Sequence, residues 1–122
     1  MKIVVVDYGI GNVQSIFNAL SQFKNVHVSL TDNHREILEA DGVILPGVGA
    51  FKSAMEELEK RDLPCVLKNY TSQNKPLLGI CLGMQLLFES SEEFGHTEGL
   101  SLVKGRVECF PSDLMGKLPH VG

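Results

Sequence analysis

Short apolar runs alternate along this chain with longer stretches whose apolar positions recur at helical spacing. Lys2 to Asp7 is a continuous β-branched run, the pattern of a strand buried on both faces of a parallel sheet. Val13, Ile16, Phe17, Leu20 and Phe23 then form one stripe of an amphipathic helix. Val26 to Leu30 alternates apolar and polar residues, which predicts a second, more exposed strand with His27 turned to solvent. Thr31 to Ala40 is polar apart from one helical turn around Ile37 and Leu38. Val43-Ile44-Leu45 is a third strand, closed by the turn Pro46-Gly47-Val48-Gly49. Phe51, Met55 and Leu58 carry the next helix, with Glu56, Glu57, Glu59, Lys60 and Arg61 as its solvated side. A further helix has Pro64 in its first position and Leu63, Leu67 and Tyr70 inward. Lys75-Pro76 ends it, and a fourth strand begins at Leu77.

Repeated β-α units with apolar strands imply an α/β fold, an open, doubly wound, mostly parallel sheet covered by helices on both faces. Ligands of such sheets bind at the carboxyl ends of the strands. Three glycine-bearing loops fall on that edge: Gly9 to Asn12, Pro46 to Gly49, and the segment around Cys81. Beyond Phe88 the pattern changes. Glu89 to Gly99 reads as an acidic, polar loop, and Leu100 to Phe110 as a small hairpin around Lys104-Gly105. The chain shows no internal repeat and no low-complexity tract.

Composition narrows the class. A chain of 122 residues is one domain at most, and 15 acidic against 11 basic residues give a net charge of -4. Without basic clusters, neither nucleic acid nor an anionic membrane is the expected partner. No apolar run reaches the roughly 18 residues of a membrane span, and the first strand meets Asp7 too early for a signal peptide. Cys65, Cys81 and Cys109 form no CxxC pair and no zinc spacing, so no metal is expected and a reducing cytoplasm is.

The chemistry concentrates in Gly79-Ile80-Cys81-Leu82-Gly83-Met84-Gln85. An apolar strand enters this segment, two glycines bracket a cysteine, and an apolar helical pattern leaves it. A Gly-x-nucleophile-x-Gly elbow needs its glycines because side chains at those positions would clash in so sharp a turn. Cys81 at the apex gains exposure above the sheet edge, and the amides of the following helix favour negative charge there. A thiolate attacking a carbonyl creates an oxyanion, which backbone amides stabilise. Pro46-Gly47-Val48-Gly49 is placed to supply one such amide, and Leu82, next to the nucleophile, the other.

Other patterns are weaker. Gly9-x-Gly11, with Asp32 about 20 residues on, invites a dinucleotide reading, but Gln14 stands where the fingerprint needs its third glycine. His34-Arg35-Glu36 and His96-Thr97-Glu98 are both His-x-Glu runs, yet neither follows an apolar strand that would hold it against the elbow. His120 lies in a local turn.

These residues resemble the class I glutamine amidotransferase family, a flavodoxin-like fold, through the elbow together with Pro46-Gly47-Val48-Gly49. Within it the chain is most similar to the branch of glutaminase subunits of imidazole glycerol phosphate synthases, in histidine biosynthesis. Asp7-Tyr8-Gly9-Ile10-Gly11-Asn12, the run Phe88 to Leu100 and Pro119-His120-Val121-Gly122 carry that part of the likeness. The resemblance implies that Cys81 attacks the glutamine carboxamide, releasing ammonia and leaving a glutamyl thioester for water to hydrolyse. It implies Val48 and Leu82 as the oxyanion amides, with the Val48 peptide needing reorientation first. It implies Gly47, Gly49 and Gln85 as substrate-binding and Gly9, Ile10, Gly11 and Asn12 as facing a (β/α)₈-barrel synthase subunit that receives the ammonia. No cofactor is implied. The family takes its catalytic His and Glu from a His-x-Glu pair far downstream, so residues 1–122 are expected to be the N-terminal part of an amidotransferase domain, incomplete at the C-terminus and inactive alone. A sheet stopped part-way exposes a strand edge, and association of such a chain is expected. An amidotransferase of another pathway, such as anthranilate or pyridoxal phosphate synthesis, and a non-catalytic partner-binding module are the alternatives.

Overall fold

The computed structural model describes residues 1–10, 13–92 and 95–103, and the backbone of residues 106–107. Four parallel strands form the main sheet in the order β2-β1-β3-β4: β1 (Lys2–Val6), β2 (His27–Thr31), β3 (Gly42–Leu45) and β4 (Leu77–Gly79). Between them run α1 (Val13–Leu20), α2 (His34–Glu39), α3 (Phe51–Lys60) and α4 (Leu63–Ser72), and α5 (Leu82–Leu86) follows β4. The chain steps from β1 outward to β2, then crosses back over β1 to β3 and on to β4. Right-handed crossovers therefore put α1 on one face of the sheet and α2, α3 and α4 on the other. The doubly wound α/β arrangement expected from the sequence is the one observed.

The core lies on the three-helix face. Val4, Val6 and Tyr8 alternate onto it from β1 and the residues just beyond it, with Val43 and Leu45 from β3. Ile37, Phe51, Ala54, Leu58, Leu63, Leu67 and Tyr70 meet them from the helices, and Leu82 and Leu86 close the end nearest the elbow. The opposite face is covered unevenly. Val5, Ile44 and Leu78 stand side by side in register, and their exposures rise from 0% to 8% to 58% toward the β4 edge. That gradient follows α1, which packs chiefly against β1 and β2.

Several boundaries differ from the sequence reading. The helical stripe of α1 ends at Leu20, and Phe23, expected to extend it, is 61% exposed. The turn around Ile37 is a six-residue helix because Asn33 caps it, its side chain accepting from the Glu36 amide at 3.0 Å. Residues 89–99 are no plain loop: β5 (Ser90–Ser91) pairs antiparallel with β6 (Thr97–Glu98). β7 (Arg106–Val107) pairs in parallel with β5, and the turn at Lys104-Gly105 expected for a hairpin lies outside the described residues. A polar sequence hid these strands, because Ser90 and Ser91 are buried without being apolar. Gly11, Asn12, Cys109 and the segment 111–122, with His120, lie outside the described residues. Among the described residues no helix is long and apolar enough to cross a membrane.

Leu45, fully buried, and Leu78, on the thinly covered edge, give the sheet an internal contrast. Leu45→Ala is expected to cost about 2–5 kcal/mol in denaturant unfolding, and Leu78→Ala no more than about 0.5 kcal/mol. Equal losses would contradict the one-sided core.

Candidate active site

Backbone geometry at the elbow is set by what the flanking residues cannot do. Cys81 sits at φ 56° and ψ −125°, a conformation that side chains with a Cβ rarely adopt. Holding a non-glycine residue there costs of order 1–3 kcal/mol, and such strain persists only where the surroundings over-determine it. The surroundings here are backbone. The Ile80 amide donates to the Leu45 carbonyl at 3.0 Å, prolonging the β3–β4 ladder beyond the Leu45–Gly79 pair. On the other side of the apex the Leu82 amide donates to the Gly47 carbonyl at 3.2 Å. The Gly83 and Met84 amides turn back to Ile80 and Cys81, at 2.9 and 3.0 Å, and start α5.

Three glycines let these segments approach. A Cβ on Gly83 would collide with the Leu45 carbonyl oxygen. One on Gly79 would stand 2.7 Å from the Gly83 carbonyl oxygen and the Met84 Cα. One on Gly47 would stand 2.9 Å from both the Gly83 nitrogen and the Tyr8 hydroxyl. Each obstacle is backbone or a buried ring, so nothing nearby can yield cheaply. The elbow and the 46–49 turn therefore interlock, as the sequence suggested, and the thiol of Cys81 is left exposed between them.

Around the thiol the chain divides sharply by exposure. Pro46, Gly47, Leu82 and Gly83 are buried, whereas Val48, Gly49, Cys81 and Met84 are exposed and Gln85 is half-buried. Gly49 takes φ 92° with open space where a side chain would be. Gly47, read from the sequence as substrate-binding, thus has a packing task of its own. The Leu82 amide, read as an oxyanion donor, is engaged by Gly47 in this conformation.

Tyr8 was not singled out by the sequence reading, and it belongs to this site. Its ring is fully buried and its hydroxyl donates to the Pro46 carbonyl at 2.5 Å. Burial pushes its phenol far above the ordinary range, so it stays a donor at any physiological pH. The signal available was position: an aromatic residue two past a strand on the ligand-binding edge, in phase with Val4 and Val6. Gly9, which follows at φ 85°, is exposed, and Ile10 packs partly against the core.

The remaining candidates have other partners. Asp32 pairs with Arg61 at 3.4 Å, and Arg61 also holds Glu57 at 2.8 Å, which raises the guanidinium and lowers the Glu57 carboxyl. Asp32 is thus tied to a side chain, as a helix-to-loop contact, in place of a ribose. His34 Nε2 donates to the Arg61 carbonyl at 2.7 Å. His96 lies 2.8 Å from the Glu92 carboxylate, whose hydrogen bond raises its pKa, and 3.6 Å from that of Glu98. Both histidines are occupied in surface contacts of their own. Among the described residues no group of three His, Cys, Asp or Glu side chains is placed to hold a metal.

Comparison with known proteins bears on this geometry. Residues 4–114 match the family model described as Glutamine amidotransferase class-I. A protein from Listeria innocua, named imidazole glycerol phosphate synthase subunit HisH, is 52% identical over 120 residues, which cover 98% of this chain and 57% of the relative. The subunit of the same name from Bacillus cereus strain G9842 is also 52% identical, over 98% of this chain and 56% of its own length. That from Listeria monocytogenes is 48% identical, over 98% and 57%. The chain spans little more than half the length of these relatives.

The interlocked glycines make a steric prediction. Gly83→Ala is expected to destabilise the fold by about 1–3 kcal/mol or more, the range for overpacking a rigid site. The same substitution at Gly95, whose φ is 86° but whose surroundings are open, meets only local backbone strain of about 1–2 kcal/mol. Parallel denaturant titrations compare the two. A Gly83→Ala protein as stable as wild type would contradict the close approach of α5 to Leu45.

Proposed function

This chain belongs to the class-I glutamine amidotransferases, and on that premise we propose that it carries the nucleophilic half of a glutaminase site. The observation that carries the reading is Cys81, exposed at a strained apex that glycine packing and backbone hydrogen bonds hold in place. In the proposed reaction the Cys81 sulfur attacks the carboxamide carbon of glutamine, forming a C–S bond while the carbonyl oxygen takes the negative charge. The C–N bond then breaks and the nitrogen leaves as ammonia, taking up the proton the thiol gave up. Water hydrolyses the resulting thioester to glutamate and restores the thiol. Each proton in this sequence passes between thiol, nitrogen and water through a general base.

The oxyanion requires donors, and the conformation described here suggests how they are gated. The peptide between Gly47 and Val48 carries both the carbonyl that occupies the Leu82 amide and the Val48 N–H. Turning that one peptide over withdraws the carbonyl from Leu82 and presents the Val48 N–H in its place, so both proposed donors become available together. The resting state is then deficient in transition-state stabilisation, while the thiol itself is already exposed. Gly49 and Gln85, beside the thiol, are the proposed glutamine contacts, and Gly47 joins them through its peptide.

We propose imidazole glycerol phosphate synthesis as the destination of the ammonia, a reading supported by relatives named as subunits of imidazole glycerol phosphate synthase. We assign the Gly9 to Asn12 loop to the side facing a barrel-shaped synthase subunit, with the pair in the cytoplasm. The base and its orienting carboxylate come, as the resemblance implies, from a further His-x-Glu pair, since His34 and His96 are engaged elsewhere. A non-catalytic binding module would have no use for the strain stored at Cys81.

A glutamine-analogue electrophile tests the reading. Peptide mapping is expected to find Cys81 labelled well ahead of Cys65 and Cys109, with glutamine slowing the reaction at Cys81 alone. Equal labelling of all three thiols would contradict it, because Cys65 is exposed too and lacks the elbow.

A further inference from the structure

The strand register carries Tyr8 to a position opposite Gly47. Ile3, Val4 and Val5 pair with Gly42, Val43 and Ile44, and the same offset places residue 8 beside residue 47. Val4, Val6 and Tyr8 alternate onto the core face, so the Tyr8 ring stands in the core beneath the 46–49 turn. Its hydroxyl meets the Pro46 carbonyl from below, and Gly47 packs directly over it. Pro46 and Gly47 are both buried, and water is not at hand to replace the phenol as donor. The next peptide along, Gly47–Val48, is the one whose carbonyl holds the Leu82 amide, and Val48 beyond it is exposed.

We propose that Tyr8 is a positioning residue for the oxyanion site: by holding the Pro46 carbonyl, it fixes one end of the turn so that the Gly47–Val48 peptide rotates alone. This inference rests on the glutaminase reading above. A peptide flips cleanly when its neighbours are anchored. The elbow holds the carbonyls on either side, Leu45 through the Ile80 amide and Gly47 through the Leu82 amide, but the donor to the Pro46 carbonyl between them is Tyr8, and proline, lacking an N–H, offers no backbone donor at residue 46. The Tyr8 hydroxyl supplies the missing restraint. Without it the Pro46–Gly47 peptide is free to move with its neighbour, and the Val48 N–H is presented over a spread of orientations. Donors aimed loosely at a developing charge lose most of their effect, while the nucleophile and the substrate contacts stay as they were.

Tyr70 provides the control. It too is a buried tyrosine whose hydroxyl donates to a backbone carbonyl, that of Ala40 at 3.4 Å, in a part of the core away from the turn. Tyr8→Phe and Tyr70→Phe are compared with wild type in the full chain assembled with its synthase partner. The assays are steady-state glutamine hydrolysis, the rate of Cys81 alkylation by iodoacetamide, and thermal melting. Iodoacetamide reacts by displacement and creates no oxyanion, so it reports the thiol alone. The proposal expects Y8F to lower kcat about tenfold or more, with KM within about twofold and alkylation unchanged. Y70F is expected to keep the wild-type kcat. The proposal is overturned if Y8F retains the wild-type kcat, if its alkylation rate falls in parallel with kcat, or if Y8F fails to fold where Y70F folds. In that last case the hydroxyl serves the fold and not the site. A wild-type assembly that does not hydrolyse glutamine would instead overturn the glutaminase reading itself.

Discussion

One unfavourable backbone conformation organises this molecule. Cys81 occupies a region that glycine would take without cost, and the chain keeps a cysteine there. The strain is sustained by groups that cannot rearrange separately. The ladder from β3 continues through Ile80, the 46–49 turn grips Leu82, and Gly79 and Gly83 admit backbone where a methyl group would not fit. Leu82 and Leu86, set in the core, tie α5 to the same arrangement. In this arrangement the thiol at the apex is exposed.

Topology then decides what surrounds the thiol. Parallel strands bring the ends of β1, β3 and β4 to one edge, so residues 8, 46–49 and 79–83 meet although they lie far apart in sequence. Within that cluster rigid and movable parts are distinct. Tyr8, Pro46, Gly47, Leu82 and Gly83 are buried, whereas Val48 and Gly49 project into solvent at the one peptide that joins the two sets. In the proposed glutaminase, a carbonyl resting on the Leu82 amide would be an economical form of control, since a single rotation would exchange acceptor for donor without repacking the core.

Much of this was legible in the sequence where a residue's chemistry and its period agree. Lys2–Val6 reads as a buried parallel strand because every position is β-branched or flanks such a run, and Gly79 and Gly83 announce the elbow because only glycine fits there. The reading failed where structure depends on partners distant in the chain. Ser90 and Ser91 look like loop residues but are buried in a ladder. Tyr8 looks like part of a turn, and its role depends on a carbonyl 38 residues away. The engaged state of the Leu82 amide is a matter of one peptide's orientation, which no side-chain pattern encodes.

The central claim is that strain is stored at Cys81, and relieving it is the most direct measurement. Denaturant unfolding of Cys81→Gly and Cys81→Ala compares two proteins that both lack the thiol and differ at the apex by one methyl group. Glycine loses about 0.5–1 kcal/mol relative to alanine through the greater freedom of its unfolded chain. Release of a strain of about 1–3 kcal/mol should outweigh that loss and leave the glycine variant more stable, by about 1 kcal/mol. An alanine variant more stable than the glycine one by about 0.5–1 kcal/mol, the difference expected without strain, would show that the apex is relaxed and would contradict the account.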